Sequence, residues 1–226
     1  MGCDPAGLMP IAFVALLLAA LLLPQQEIYP DSAWLRHKPG TWVKNKTTSQ
    51  SPAATGIAEN VQKILLKEVK GDDFVIEETV EENGRGPKIN KRSKGVKTGE
   101  ETLTIGDNAY QCTVLTVNGS NERGKVVTKY WTPAGAKNPL KISFEEPAMN
   151  GILKAVAVEE KVEALGKVLI CNRLEGWVKM GQADGKMVLV VCDDIPGAQV
   201  RCQINFKTPG GDTIFKYELQ EVHEEK

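Results

Sequence analysis

The sequence predicts a mostly β protein. We expect an antiparallel meander, in one or more sheets or a half-barrel, built from two tandem repeat units and preceded by one N-terminal hydrophobic helix. Three observations lead to this prediction. Apolar and polar residues alternate with a period of two, short turns containing Gly or Pro separate these runs, and several residues recur at a constant spacing.

The alternation is clearest at residues 213–222. There Phe215, Tyr217 and Leu219 alternate with charged or polar residues, which is typical of a sheet with one face in water. The turns, for example residues 181–185, are too short for crossover connections. We therefore expect antiparallel neighbours and about ten strands in all.

Two pairs of residues indicate the internal repeat. Phe206 follows Phe144, and Pro209 follows Pro147, at the same interval of 62 positions. Matches further upstream need small gaps, and each gap falls in a predicted turn. Two four-stranded units of similar structure are therefore expected.

These features divide the chain into five segments, and order is expected to begin at Gly40. The first segment is a signal peptide or membrane anchor, and the second is a polar linker with three prolines. The third carries the leading strands and a basic loop, and the last two are the repeat units, the second with a short tail. In this order the segments comprise residues 1–23, 24–39, 40–100, 101–163 and 164–226.

Residues 8–23 form an uncharged apolar run of 16 residues. This is longer than most signal-peptide cores but shorter than the ~20 residues that span a bilayer comfortably. A cleaved export signal, an uncleaved membrane anchor and a buried core helix all remain open. The first two would place the protein in the periplasm, outside the cell, or on the cytoplasmic membrane.

Four cysteines lie in the predicted β region, which suits disulfides in an exported chain. Counting from the predicted turns places Cys171 opposite Cys192, Cys192 opposite Cys202, and Cys112 opposite Trp131. A disulfide between Cys171 and Cys192 is therefore expected, with Cys192–Cys202 as the alternative pairing. Four free, buried thiols are the other possibility. With no Cys-x-x-Cys and only two histidines, no metal site is predicted.

Three short motifs carry a resemblance to a known group. They are Tyr-Gln-Cys at 110–112, Lys-Tyr-Trp-Thr-Pro at 129–133 and Asp-Asp-Ile-Pro-Gly-Ala-Gln-Val-Arg at 193–201. Over residues 40–222 the chain resembles uncharacterised exported bacterial proteins, which look like distant relatives of the periplasmic lipoprotein-carrier (LolA/LolB-like) half-barrel group. The resemblance implies a curved antiparallel sheet whose concave face shelters acyl chains.

The sequence has no pattern of a catalytic or cofactor site. Asp193 and Asp194 resemble a pair of catalytic carboxylates, but they directly precede Ile-Pro-Gly, where Asp commonly forms turns. His37 lies in the linker and His223 in the tail, and no Gly-rich phosphate loop is present. We therefore predict that the protein is not an enzyme and needs no cofactor.

Residues 83–99 are predicted to form a long loop rich in Gly and Lys. Its basic residues are candidates for binding an anion such as a lipid head group or a polysaccharide, and a solvated loop is the alternative. No aromatic residue lies between them, so nucleic acid is not a predicted partner. These basic residues are Arg85, Lys88, Lys91, Arg92, Lys94 and Lys97.

Two classes of function fit this sequence. The first is a binding module of the cell envelope that holds a lipid or another apolar ligand. The second is a structural or interaction protein that contacts another envelope protein and binds no small ligand. A concave apolar pocket of several hundred Å³ favours the first class, and a sheet filled by its own side chains favours the second.

Overall fold

The structure is a computed structural model, and it describes residues 32–52, 56–80, 86–121, 123–208 and 211–225. One helical turn, α1, precedes a series of β-strands. The elements are α1 (Ser32–Leu35), β1 (Trp42–Gln50), β2 (Ile57–Lys70), β3 (Asp73–Val80), β4 (Lys88–Ser93), β5 (Val96–Ile105), β6 (Asn108–Asn121), β7 (Gly124–Pro133), β8 (Lys141–Glu145), β9 (Met149–Ala164), β10 (Lys167–Met180), β11 (Ala183–Val191), β12 (Gln199–Thr208) and β13 (Gly211–His223).

The strands form one antiparallel sheet that closes on itself. Strands neighbouring in sequence pair with each other from β1 to β4 and from β5 to β13, and β1 also pairs with β13. The ring is completed by β4, which pairs with β6 through Lys91–Ser120 and Arg92–Gly119. β5 pairs with an earlier part of β6. Twelve strands therefore form a closed barrel, and β5 lies beside the ring.

The mostly β, antiparallel fold is confirmed, but the half-barrel is corrected to a closed barrel. The prediction of a long loop at residues 83–99 is also wrong over the described residues, since this segment contains β4 and the start of β5. This segment has the polar composition of a loop because Asn90 and Arg92 of β4 point into the barrel, while Lys91 points towards solvent. A polar inner face hides the usual apolar alternation of a strand.

The predicted linker is wrong at its C-terminal end. Within residues 24–39, Ala33 and Trp34 of α1 are almost completely buried. The indole of Trp34 lies against Gly197, whose φ of +73° and lack of a Cβ leave room for the ring. Residues 8–23 lie outside the described part of the chain.

Inward-facing side chains form two apolar clusters. The larger one fills the barrel between β6 and β13, around Tyr130, Phe144 and Leu153. The second lies at the end that α1 covers, where Trp34 packs with side chains from β1 to β3 and from β9 to β13. The strands predicted for repeat unit two coincide closely with β10 to β13. The internal repeat itself stays a prediction.

Prediction for the buried end. Replacing Trp34 by Ala is expected to lower the free energy of unfolding by about 3–5 kcal/mol, since a large buried side chain is lost and a cavity remains. Trp177→Ala is the matched control, because that indole is 51% exposed and its loss should cost under about 1 kcal/mol. Urea unfolding of both variants measures the difference. Equal losses would show that Trp34 does not anchor the barrel end.

Candidate ligand groove and buried polar network

A long hairpin projects from the barrel on one side. β8 pairs with β9 only as far as Lys154, and β11 pairs with β10 only from Asn172 onward. Residues 160–171, here called the arm, therefore pair only with each other. The arm ends in a tight turn at Leu165 and Gly166, which have φ of 55° and 69°. Two consecutive positive φ values suit a two-residue hairpin turn.

A buried amide fixes the base of the arm. Asn172 accepts a hydrogen bond from the backbone N–H of Glu159 at 3.1 Å. Its Nδ2 donates to the carbonyl oxygen of Pro139 at 3.1 Å. Glu159 has a positive φ of 56°, and the β9–β10 register shifts at this level. Asn172 therefore stabilises an irregular backbone at the point where the arm leaves the barrel wall.

The arm and the neighbouring strands β12 and β13 enclose a groove of about 610 Å³. This volume lies within the usual range for small-molecule sites. The lining residues, which define the groove, are Glu163, Ala164, Leu165, Gly166, Lys167, Val168, Val200, Arg201, Glu218, Leu219 and Gln220.

The groove combines an apolar floor with a charged rim. Val200 and Leu219 are buried members of the end cluster, and Leu165 packs against that cluster. On the rim, Arg201 donates to the backbone oxygen of Glu163 at 2.9 Å and lies 3.4 Å from Glu218. The guanidinium of Arg201 thus connects the arm to the barrel wall. The groove therefore presents apolar and charged side chains side by side.

Asp193 and Asp194 stabilise a turn and have different surroundings. Asp193 is 3% exposed, is ion-paired with Arg36 at 2.5 Å, and its backbone N–H donates to Asn138 at 2.7 Å. Asp194 is exposed and pairs with Lys137 at 2.8 Å. Their role in the turn after β11 agrees with the interpretation favoured by the sequence.

A polar network crosses the inner wall of β2, β3 and β4. Gln62 and Asn90 donate to the two carboxylate oxygens of Glu78, at 3.1 Å and 2.6 Å. All three side chains are buried. Burial raises the pKa of Glu78 to about 7, against the opposing effect of Lys88 and Arg92. The sequence analysis missed this network, because no local sequence pattern shows that the Asn90 and Arg92 side chains of β4 face the barrel interior.

The network continues to the seam between β4 and β6. Arg92 lies so close to Gly119 that a Cβ there would be 2.8 Å from its guanidinium. Asn121 donates to Glu146 at 3.2 Å, and burial also raises the pKa of Glu146 to about 7. On β1, Asn45 is fully buried and its two amide atoms have no hydrogen-bond partner. The inner wall around the seam is thus strongly polar.

The basic residues predicted to bind an anion do not form one loop. Arg85 lies outside the described residues, Arg92 is turned into the barrel, and Lys88 and Lys91 lie along β4. Lys94 is 3.4 Å from Asp72, and Lys97 is 2.5 Å from Glu100. Anion binding by these residues stays a prediction, and the arrangement gives it no common centre.

The four cysteines of the β region are free and buried. Asn172 pairs with Val191, and Cys171 and Cys192 are the next residues along the two chains. The predicted disulfide between them stays a prediction. Cys202 instead faces Leu189, because β11 and β12 are joined by a longer turn and a bulge.

The register predicted for Cys112 is also wrong. Cys112 faces Pro133, while Trp131 faces Val114. The β6–β7 hairpin turns after Asn121, one residue beyond the predicted midpoint, and this moves the cross-strand partner by two positions. The cysteines of the two predicted units therefore have different neighbours.

Other kinds of site are not seen among the described residues. No group of three or more His, Cys, Asp or Glu side chains in the described ranges is arranged to hold a metal ion. In that same part of the chain, no helix has the length and apolar character needed to cross a bilayer. The groove was not predicted, because it depends on the arm tip reaching strands about 35 to 55 positions away in the chain.

Comparison with known proteins finds a distant similarity in structure and none in sequence. No family model matches the sequence, and no curated protein is similar to it. The crystal structure of the LolA superfamily protein NE2245 from Nitrosomonas europaea is similar to this chain, with a TM-score of 0.41 and 9% sequence identity. The match covers 89% of this chain and 93% of that one. That superfamily is also the group that the sequence motifs resemble.

Prediction for the polar network. The pKa of Glu78 is about 7 in the folded protein and 4.5 as its ordinary value, so between these pH values the folded state holds a proton that the unfolded state releases. Stability is therefore expected to fall as pH rises from 4.5 to 7, by about 3 kcal/mol for Glu78. Glu78→Gln should remove this part of the slope, as measured by urea unfolding at several pH values.

Glu146→Gln provides a second variant for this test. Its pKa is raised to about 7 for the same main reason, which is burial, so its substitution should flatten the same pH window. A Glu78→Gln protein with the wild-type pH slope would contradict the raised pKa of Glu78.

Proposed function

We propose that the protein is a non-catalytic binding protein of the cell envelope that holds a lipid-like, amphipathic ligand in the groove between the arm and strands β12 and β13. The observation that supports this most directly is the groove itself, with about 610 Å³ of volume and an apolar floor at Val200 and Leu219. Burial of an acyl chain there is favourable by about 0.8 kcal/mol per methylene group.

The ends of the groove suit a polar head group. Lys167 and Arg201 supply positive charge, and Glu163 and Glu218 supply negative charge. Arg201 already contacts Glu163 and Glu218, so its charge is partly satisfied within the protein. Lys167 is therefore the cation we assign to an anionic head group.

The proposed location follows from the N-terminal sequence. An exported protein, in the periplasm or outside the cell, or one anchored to the cytoplasmic membrane through residues 8–23, would meet lipids or lipid-bearing envelope proteins as partners. The apolar run of residues 8–23 supports export or anchoring. No cofactor is part of this proposal.

A second function is favoured by the outer face of the same hairpin. Val156, Ile170 and Trp177 are 51%, 44% and 51% exposed. Exposed large apolar side chains on neighbouring strands are a feature of protein contact surfaces. A structural or interaction protein that uses this outer face, and leaves the groove empty, is the alternative.

The first experiment asks whether the purified protein carries or binds a lipid. Native mass spectrometry after gentle purification is expected to show a bound species whose mass is that of a lipid. The fluorescent fatty acid cis-parinaric acid then serves as a probe for titration of the delipidated protein. Saturable binding at one site is expected, and its absence, together with no co-purified lipid, would refute the proposed ligand class.

Prediction for the groove. Val168→Glu places a carboxylate in the groove and is expected to weaken cis-parinaric acid binding by about tenfold or more, because the ligand must then desolvate a charge. Val156→Glu is the matched control on the same hairpin, since Val156 is similarly exposed, at 51% against 58% for Val168, and does not line the groove. Equal affinities of the two variants would locate the ligand elsewhere.

A further inference from the structure

The arm leaves the barrel at a pair of cysteines. Pairing of β10 with β11 stops at Asn172 and Val191, and the next residues outward are Cys171 and Cys192. Both side chains are completely buried in the end cluster. This cluster also contains Val200 and Leu219 from the groove floor, so the cysteines and the groove share one packed region.

The two thiols are already in contact. The Cys171 thiol donates a hydrogen bond to Cys192, and this bond raises the pKa of Cys171 and lowers that of Cys192. Directly opposed residues of antiparallel strands have Cα atoms about 4.5–5.5 Å apart. A disulfide requires roughly 4.4–6.8 Å, so directly opposed positions are compatible with the bond.

We propose that Cys171 and Cys192 are a disulfide-forming site that ties the base of the arm to β11. The bond would lie at the last point where the arm and the barrel wall are adjacent. The other described cysteines lack such a partner, because Cys112 faces Pro133 and Cys202 faces Leu189. The consequence for the groove rests on the proposed function, whereas the bond itself does not.

A small disulfide such as oxidised glutathione is a sufficient oxidant. The Cys192 thiolate attacks one of its sulfur atoms, forms a mixed disulfide and releases one glutathione thiolate, which takes up a proton. Cys171 then loses its proton and attacks the sulfur of Cys192, which displaces the second glutathione thiolate. Two protein thiols are oxidised, and one glutathione disulfide is reduced to two thiols.

Access to the buried thiols comes from opening of the arm. The arm pairs with itself alone beyond Asn172, so side-chain packing and a few polar contacts hold it to the barrel. Among these are the hydrogen bonds from Arg201 to the Glu163 oxygen and from Asn138 to the Ile170 oxygen. Such a segment opens more easily than the barrel strands. With the bond formed, residue 171 can no longer leave β11, and the groove keeps its arm-side wall.

The test is disulfide mapping of the full chain after refolding from the reduced, denatured state in a buffer of reduced and oxidised glutathione. The expected product has lost two hydrogen atoms, contains one peptide pair linked through Cys171 and Cys192, and leaves Cys112 and Cys202 to react with an alkylating agent in denaturant. The fifth cysteine, Cys3, lies outside the described residues and is mapped separately. Four free thiols, a link to another cysteine or a stable glutathione adduct would each overturn the proposal.

Two variants and a second measurement complete the test. Cys202→Ser is the matched control and should leave the Cys171–Cys192 bond unchanged, while Cys192→Ser should abolish it. Hydrogen exchange of arm amides should be about tenfold slower in the oxidised than in the reduced wild-type protein, and unchanged exchange would overturn the tie to β11. A mapped disulfide in a protein that binds no cis-parinaric acid would refute only the proposed ligand.

Discussion

The pairing of β4 with β6 closes the sheet, and this closure decides which side of every strand is buried. Only two residue pairs join the two strands. Because β4 also pairs with β3, its inward side chains face a closed interior. Asn90 and Arg92 are among them, so their polar groups need partners inside the barrel. Glu78 supplies one, and the small Gly119 leaves room for the guanidinium.

The two kinds of interior follow from this closure. From β6 to β13 the inward positions are apolar and fill the barrel, with Tyr130 and Phe144 almost inaccessible. From β1 to β4 the inward positions become more polar towards the seam. Asn45 on β1 is one of them, and it is fully buried with no hydrogen-bond partner for its side-chain amide. An acyl chain placed against this polar wall would desolvate amides and carboxyls without replacing their hydrogen bonds. The groove outside the seam region offers Val200 and Leu219 instead, which is why we place an apolar ligand there.

The sequence predicts best those parts that depend on local pattern. The β10–β11 hairpin has a short glycine turn, and its register up to Asn172 and Val191 is close to the predicted one. The closure, β4 and the groove could not be predicted in the same way. Closure depends on pairs between positions far apart in the chain, such as Arg92 with Gly119, and the inward face of β4 is polar and does not resemble a strand. Trp34 was assigned to a linker because only the folded barrel end provides the packing that orders it.

The length of the arm connects the remaining features. β9 and β10 extend beyond both of their neighbours, so their outer parts must either fray or pack back against the protein. Inward-facing apolar residues such as Val162 and Leu169 make packing over the end cluster favourable. The groove forms where this packing is incomplete, and Arg201 holds its rim. The same geometry places Cys171 at the point where strand pairing ends, so a covalent bond there constrains the arm without altering the barrel. The proposed ligand groove and the proposed disulfide thus both depend on one hairpin that is longer than the sheet around it.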